Sequence, residues 1–136
     1  MSSTNLQFLL DTNILLAALI EPDRLPAEIQ RDLRDPANTV LFSAASIWEI
    51  AIKYSLGRAD FDFNLQDILE LAEQTGFIEL PIVSRHVQAV AALPWHHRNP
   101  FDRLLIVQAQ SLPAYLLTRD RGLACYSDLV RLVNLD

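Results

Sequence analysis

The sequence has too few cysteines, basic residues and long apolar runs for several classes of protein. One of its 136 residues is a cysteine, Cys125, so no internal disulfide can form and a reducing cytoplasm is the predicted location. No apolar run reaches the roughly 18 residues that a membrane-spanning helix needs. The start, MSSTNLQF, lacks the basic residues of a signal peptide. These absences predict a cytoplasmic protein without a membrane segment.

Positive charge is also scarce. Lysine and arginine number 11 against 17 aspartates and glutamates, which gives a formal net charge of -6. A protein that binds nucleic acid through phosphate contacts alone is usually basic. The balance therefore disfavours simple phosphate binding. It leaves open a nuclease whose carboxylates hold cations, because metal ions reverse the local charge.

Short apolar segments alternate with helical patterns along the whole chain. The length and the hydrophobic fraction of 51% suit one core, so we expect a single domain over residues 1–136. Strands are predicted at residues 6–10, 39–42, 77–82 and 114–118, with a candidate fifth at 131–135. Helices are predicted at 14–20, 26–34, 44 to about 56, 65–74, 84 to about 92, and 100–111. Ser43 and Ser84 are predicted N-caps, and Gly57 and Gly76 are predicted stops.

This alternation predicts the α/β class. Strands that alternate with helices form parallel sheets covered on both faces. The predicted strands are short and apolar throughout, as strands buried on both faces should be. In such sheets functional sites form at the carboxyl ends of the strands.

Two acids directly follow predicted strands. Asp11 interrupts the apolar run LLDTNILLAA after the first strand, and Asp120 follows the fourth strand in YLLTRDRGL. A buried carboxylate is unfavourable unless it is hydrogen-bonded or paired. Each acid has a structural alternative, because Asp11 or Asn13, and Thr118 or Asp120, are suitable N-caps for the helices that follow.

Two further acids lie on predicted helices. Glu49 in SIWEIAIKYSLG shares a narrow polar strip with Lys53, and the alternative is a capping box with Ser46 plus a surface ion pair with Lys53. Asp102 stands in the first turn of its helix, where it can serve the helix start. It also shares a face with apolar residues three, four and seven positions on, which are Leu105, Ile106 and Ala109.

Together the four acids would place several carboxylates at one end of one sheet. Like charges packed together raise one another's pKa, and a divalent cation relieves the repulsion. Oxygen ligands suit magnesium or manganese rather than zinc. Such a site suits phosphodiester hydrolysis.

The order of these motifs resembles the PIN-domain ribonucleases, and more narrowly the VapC toxins of bacterial toxin–antitoxin pairs. The resemblance rests on DTN after the first strand, SIWEIAIKYSLGR, HHRNPFDRLLIVQAQ and LLTRD, and it runs from about residue 9 to residue 126. It implies a PIN-like three-layer α/β/α sandwich with a short, mostly parallel sheet of four to five strands. It also implies a Mg²⁺- or Mn²⁺-dependent endoribonuclease, the toxin of a type II system. The implied catalytic and metal-binding residues are Asp11, Glu49, Asp102 and Asp120.

The resemblance further implies a homodimer and a cognate antitoxin protein. Members of this branch often carry aspartate where this chain has Asn99, which implies a weaker second metal position. By position, Thr12 and Asn13 are candidates to hydrogen-bond a metal-bound water or Asp11, and Thr118 is a candidate to do so beside Asp120. Each is also a suitable turn or cap residue.

The remaining assignments are supporting ones. Lys53, Arg103 and Arg119 are candidates to contact RNA phosphates, and the alternative is that they balance nearby acids. His96 and His97 are predicted loop residues that stack on bases. Specificity is expected in loops 59–64 and 93–99. Region 14–33 is a candidate antitoxin-docking surface, with core packing as the alternative. Core or packing positions are predicted for Trp48, Phe101 and Cys125.

Three other functions remain open from the residues. A phospho-acceptor switch domain needs a pair of early acids and a late lysine, but Asp11 has no acidic neighbour and no lysine follows Lys53. A phosphatase with a DxD motif is disfavoured because Asn13 takes the second acidic position. A non-catalytic interaction module with the same fold would fail to bind manganese.

Overall fold

Five parallel strands form one central sheet in a computed structural model that describes residues 5–57, 64–95 and 99–136. The strands are β1 (Gln7–Leu10), β2 (Thr39–Ser43), β3 (Ile78–Leu80), β4 (Tyr115–Thr118) and β5 (Val130–Leu132). Their order across the sheet is β3-β2-β1-β4-β5, so β1 lies at the centre. The four neighbouring pairs are all parallel. The predicted α/β class is confirmed.

Helices cover both faces of the sheet. They are α1 (Thr12–Ile20), α2 (Ala27–Arg34), α3 (Ala44–Ser55), α4 (Leu65–Thr75), α5 (Ser84–Ala92) and α6 (Pro100–Ser111). Because strand side chains alternate in direction, Phe8 and Leu10 join one buried cluster with residues of α1, α3 and α4. Leu9 joins the other cluster, against Leu105 and Ile106 of α6. The result is the expected three-layer sandwich.

Several predicted boundaries are corrected by local hydrogen bonding. Helix α1 begins at Thr12 because Asp11 is its N-cap. Strand β3 ends at Leu80, before Pro81, which has no N–H for the ladder. The prediction that Ser84 caps α5 is wrong. Ser84 is the first helical residue, and Nδ1 of His86 accepts the backbone N–H of Val83 at 3.1 Å.

The start of α3 decides between two interpretations of Glu49. Ser43 is the N-cap, as predicted, and its Oγ accepts the backbone N–H of Ala45 at 3.0 Å. Ser46 is buried inside the helix rather than preceding it. The alternative in which Glu49 closes a capping box with Ser46 is therefore wrong.

The first half of region 14–33 contributes side chains to the hydrophobic core. Ile14, Leu15, Ala17 and Leu19 are buried, which supports the core-packing interpretation for α1. A cleft of about 220 Å³ remains beside this region, lined mainly by apolar residues: Ala18, Pro22, Leu25, Leu33 and Phe77 among them. Within the described residues, no helix is both long enough and apolar enough to cross a membrane.

Gly76 tests the helix termination inferred from the sequence. It ends α4 with a left-handed φ of 91°, and a Cβ there would meet no atom within 4 Å. Gly76→Ala is therefore expected to lower the free energy of unfolding by about 1–2 kcal/mol through backbone strain alone. Gly76→Asn should lose less, because asparagine tolerates this region. Urea unfolding measures both variants, and an unchanged stability of Gly76→Ala would contradict this account.

Candidate active site

Asp11 lies at the carboxyl end of the central strand and is almost completely buried. The residue is 5% exposed. Oδ1 accepts the backbone N–H of Ile14 at 2.9 Å, which caps α1. Oδ2 accepts the hydroxyl of Thr118 at 2.5 Å. Its own N–H continues the sheet by donating to the carbonyl of Leu117 at 3.0 Å. The carboxylate is thus fixed by backbone and side chain together.

Thr118 connects Asp11 with the loop that carries Asp120. The buried Thr118 hydroxyl donates to Asp11 and accepts the backbone N–H of Asp120 at 3.0 Å. Oδ1 of Asp120 in turn accepts the N–H of Gly122 at 2.8 Å, which caps a short 3₁₀ turn at Arg121–Leu123. The Thr118 hydroxyl thus bonds to Asp11 and to the backbone of Asp120, and its expected bond to a metal-bound water stays a prediction.

Glu49 approaches the same edge from α3. Its Oε1 accepts the hydroxyl of Thr12 at 2.6 Å, and Thr12 directly follows Asp11 in the chain. Its Oε2 lies 3.2 Å from Nζ of Lys53, and the Glu49 side chain is only 16% exposed. The predicted Glu49–Lys53 pair is present. The Thr12 hydroxyl donates to Glu49, whereas the expected partner was a metal-bound water or Asp11.

Asp102 lies on the first turn of α6, and it is not among the charges that act on Asp11. Asn99 caps the helix, since its Oδ1 accepts the N–H of Phe101 at 3.0 Å. The ring of Phe101 lies edge-on to Trp48, with centroids 5.0 Å apart. Because Trp48 precedes Glu49 and Phe101 precedes Asp102, this contact packs together the two helix segments that carry these acids.

Burial and repulsion act together on Asp11. The pKa of Asp11 is raised from 3.8 to about 6, chiefly by burial, and the charges of Glu49 and Asp120 contribute to this rise. The hydrogen bonds from Thr118 and Ile14 oppose this rise by stabilising the carboxylate. The structure thus brings the charges of Asp11, Glu49 and Asp120 within electrostatic reach of one another.

The carboxylate groups at this edge suit a metal ion by their chemistry, not by their present spacing. In residues 5–57, 64–95 and 99–136, no three Asp, Glu, His or Cys side chains are spaced as a formed metal site. Asp11, Glu49 and Asp120 each bond to protein donors instead. Their carboxylate oxygens nevertheless suit a hard divalent cation. The pKa of Asp11 is raised mainly by burial and to a smaller extent by repulsion from Glu49 and Asp120, and a cation would relieve that repulsion. A cation must therefore compete with these donors.

Arg103 does not contact a phosphate in this arrangement, which corrects that expectation. Its side chain is buried, and its guanidinium donates to the carbonyls of Val90 and Pro94 at 2.9 and 3.0 Å. It also lies over the ring of Trp95, 4.0 Å from the centroid. Arg103 therefore connects the first turn of α6 to the end of α5 and the residues after it through hydrogen bonds.

Two other residues predicted to support the site are exposed to solvent. Asn13 is exposed on the first turn of α1, and Arg119 is exposed between Thr118 and Asp120. Both side chains are accessible to solvent. His96 and His97 lie outside the described residues, as do residues 59–63 of loop 59–64 and residues 96–98 of loop 93–99, so those expectations remain predictions.

Two predicted packing positions are wrong, because Trp48 and Cys125 are exposed. One residue at the site was not identified from the sequence. Gly122 matters because a Cβ there would lie 3.1 Å from Oδ1 of Asp120. The D-x-G spacing at residues 120–122 is a turn signal that could have indicated this.

Comparisons with known proteins agree with this architecture. The family model for the PIN domain matches residues 8–129. A solved structure titled VapBC2 from Rickettsia felis bound to a promoter DNA fragment is similar in fold. Its TM-score is 0.69 at 18% identity, and the match covers 96% of this chain and 100% of that one. A domain of a functionally unknown protein from Methanocaldococcus jannaschii has a TM-score of 0.56 at 16% identity, over 93% and 89% of the two chains. The comparison with curated proteins gives no match.

The raised pKa of Asp11 predicts how stability depends on pH. Between pH 3.8 and about 6 the folded protein keeps a proton on Asp11 that the unfolded chain releases, so stability falls as pH rises. Asp11→Asn removes this titration while retaining a capping oxygen. It is therefore expected to gain up to about 3 kcal/mol relative to the native protein from pH 4 to pH 7.

Urea unfolding in chelator across this pH range measures the difference, with the exposed Asp128→Asn as the matched control. A large loss of stability in both Asp11→Asn and Asp102→Asn at pH 7 would instead show that these acids are structural caps.

Removing the Thr118 hydroxyl should raise the pKa of Asp11 further. Thr118→Val keeps the shape of the side chain but loses the bond that lowers this pKa, so the pKa should exceed about 6. Thr118→Ser should keep the native value. Carbon-13 NMR titration of the Asp11 carboxyl group reads both, and an unchanged pKa in Thr118→Val would contradict the assigned role.

Proposed function

The chain belongs to the PIN domain family, and we propose that it is a metal-dependent endoribonuclease that hydrolyses RNA phosphodiester bonds. We further propose that it is a VapC-type toxin of a type II toxin–antitoxin pair. Both proposals extend the expectation drawn from the motif order.

One observation carries the nuclease proposal. A carboxylate that is almost fully buried at the end of the central strand, Asp11, lies within electrostatic reach of Glu49 and Asp120. A purely structural N-cap needs one carboxylate and no acidic neighbours. Concentrating negative charge on a buried acid is unfavourable without a cation. The site is therefore best explained as one that takes a positive ion.

We assign Asp11, Glu49, Asp102 and Asp120 to hold Mg²⁺ or Mn²⁺. When bound, such an ion supplies a nucleophilic water at neutral pH and charge stabilisation at the leaving oxygen. The protein residues orient the acids. Thr118 holds the Asp11 carboxylate in place through its hydroxyl, and Thr12 holds that of Glu49. Such outer partners fix the geometry of metal ligands.

Other polar residues at this edge complete the proposed site. Asn13 is placed to hydrogen-bond a water near Asp11. Arg119, exposed beside Asp120, is placed to contact an RNA phosphate. Lys53 holds Glu49 in the free protein and becomes available to a phosphate if a cation takes its place. Asn99 offers an amide where an additional carboxylate would strengthen a second metal position.

The proposed partners follow from the toxin assignment. A cognate antitoxin protein and a second copy of this chain are the expected partners, in the cytoplasm. The apolar cleft beside α1 and α2 is the antitoxin-docking surface that the packing leaves open, since Ala18, Leu25 and Leu33 contribute to its wall. The single domain is proposed to span residues 1–136.

A non-catalytic module with the same fold is the second candidate. The observation in its favour is that the described carboxylates are bonded to protein donors and form no ready metal cluster among the described residues. Manganese calorimetry separates the two, because the module would bind no ion at this edge.

Cleavage of a mixed cellular RNA pool tests the proposal. The purified chain with Mn²⁺ or Mg²⁺ should produce discrete fragments that disappear with chelator. Asp11→Asn and Asp102→Asn should abolish them. Thr118→Val should reduce the rate by roughly 10- to 100-fold, the usual effect of losing a residue that orients a metal ligand.

The matched control is Glu28→Gln, an exposed acid on α2, which should cleave at the native rate. Fragments that persist in chelator or in Asp11→Asn would contradict the proposed chemistry.

A further inference from the structure

Lys53 is the only lysine of the chain, and it lies at the acids of the candidate site. Every other residue in the count of 11 lysines and arginines is an arginine. Lys53 stands one helical turn after Glu49 on α3, and its Nζ lies 3.2 Å from Oε2 of that acid. An ammonium is a compact point charge on a flexible stem, whereas a guanidinium is a rigid, flat fork. The residue type at position 53 therefore affects how firmly Glu49 is held.

The Glu49 carboxylate is shared between a neutral and a charged donor. Its Oε1 accepts the hydroxyl of the buried Thr12 at 2.6 Å, and its Oε2 faces the ammonium of Lys53. The hydroxyl adds no net charge, but the ammonium adds one positive charge. Because the charge of Glu49 acts on Asp11, Lys53 reduces the repulsion at this edge. A metal cation bound there would have the same effect.

The Glu49–Lys53 pair has the properties of one that can be exchanged. The two side chains are 16% and 32% exposed, so water screens their attraction, and pairs of this kind four residues apart on a helix add little stability. The lysine stem lets the ammonium turn away while the helix backbone stays in place. A divalent cation carries twice the charge and prefers carboxylate oxygens as ligands. It can therefore replace the ammonium without a change of fold.

We propose that Lys53 is an internal counter-ion of the site, whose ammonium holds on Glu49 the place that a divalent cation takes when it binds. This inference rests on the proposed metal-dependent function and adds a form of regulation to it. The cation must displace Lys53 before Glu49 can serve as a ligand. The free protein is thereby relieved of part of its acidic repulsion, and its affinity for the metal is lowered.

The alternative is a structural ion pair that persists when the metal binds. Since the chain has one lysine, labelling lysine with carbon-13 at Cε gives one NMR signal for this side chain. Mg²⁺ is diamagnetic and leaves that signal sharp. Titration with Mg²⁺ should move it toward its position in Glu49→Gln, where the carboxylate at position 49 is absent. The amide signals of Thr12 and Thr118 report in the same samples whether the ion has bound.

Calorimetry with Mn²⁺ measures the competition as a change of affinity. Lys53→Met keeps an apolar stem but removes the ammonium, and should bind Mn²⁺ about 5- to 20-fold more tightly than the native chain, as expected for removing a unit charge near a divalent ion. Lys53→Arg keeps the charge and can hold the carboxylate through two parallel N–H bonds, so it should bind Mn²⁺ more weakly. Arg31→Met, which removes an exposed positive charge of α2, is the matched control and should keep the native affinity.

Two results would overturn the inference. One is a lysine signal that stays in place while the amide signals show bound Mg²⁺. The other is an Mn²⁺ affinity that is equal in the native chain, Lys53→Met and Lys53→Arg.

Failure of the proposed function gives a different pattern of results. If the lysine signal moves with Mg²⁺ but RNA stays uncut, the hydrolase is lost and the counter-ion remains. If Mn²⁺ binds only to Lys53→Met, the competition stands and the metal dependence of the native chain is lost. If neither protein binds the ion, both proposals are wrong.

Discussion

The burial of one carboxylate at the end of the central strand constrains the rest of the site. Asp11 must satisfy both oxygens away from water, and it does so with the first turn of α1 and the hydroxyl of Thr118. The same hydroxyl accepts the N–H of Asp120. The end of β4 and the start of α1 are therefore joined through a single acid, and the position of Asp120 depends on that of Asp11.

Glu49 is attached to this centre indirectly. Thr12, the residue after Asp11, donates to Glu49, and Lys53 neutralises the other oxygen. The contact between Trp48 and Phe101 then sets α6 against α3. Segments far apart in the chain thus converge because β1 lies between β2 and β4 in the sheet. A parallel sheet places the carboxyl ends of these strands at one edge, where the acids can act together.

The sequence predicted most of the fold, since alternating apolar segments and helix signals locate elements well. The observed helix and strand boundaries differ from the predicted ones where a side chain bonds the backbone. At the start of α5, the His86 ring, and not Ser84, accepts the backbone N–H of Val83. At the site, the acids after strands were predictable from position. The exposure of Trp48 and the burial of Arg103 were not, because each depends on contacts between segments distant in the chain. The spacing of apolar residues in the sequence identifies one face of a helix, but it does not identify the segment that packs against that face.

The proposed hydrolysis depends on a divalent cation at the edge formed by β1, β2 and β4. Paramagnetic line broadening by substoichiometric Mn²⁺ in NMR spectra tests it without any knowledge of the RNA target. If the ion binds at this edge, the signals of Thr12, Thr118 and Asp120 broaden first, and Asp11→Asn suppresses the effect. Broadening that begins at exposed acids elsewhere, such as Glu28 on α2, or that persists in Asp11→Asn, would contradict it.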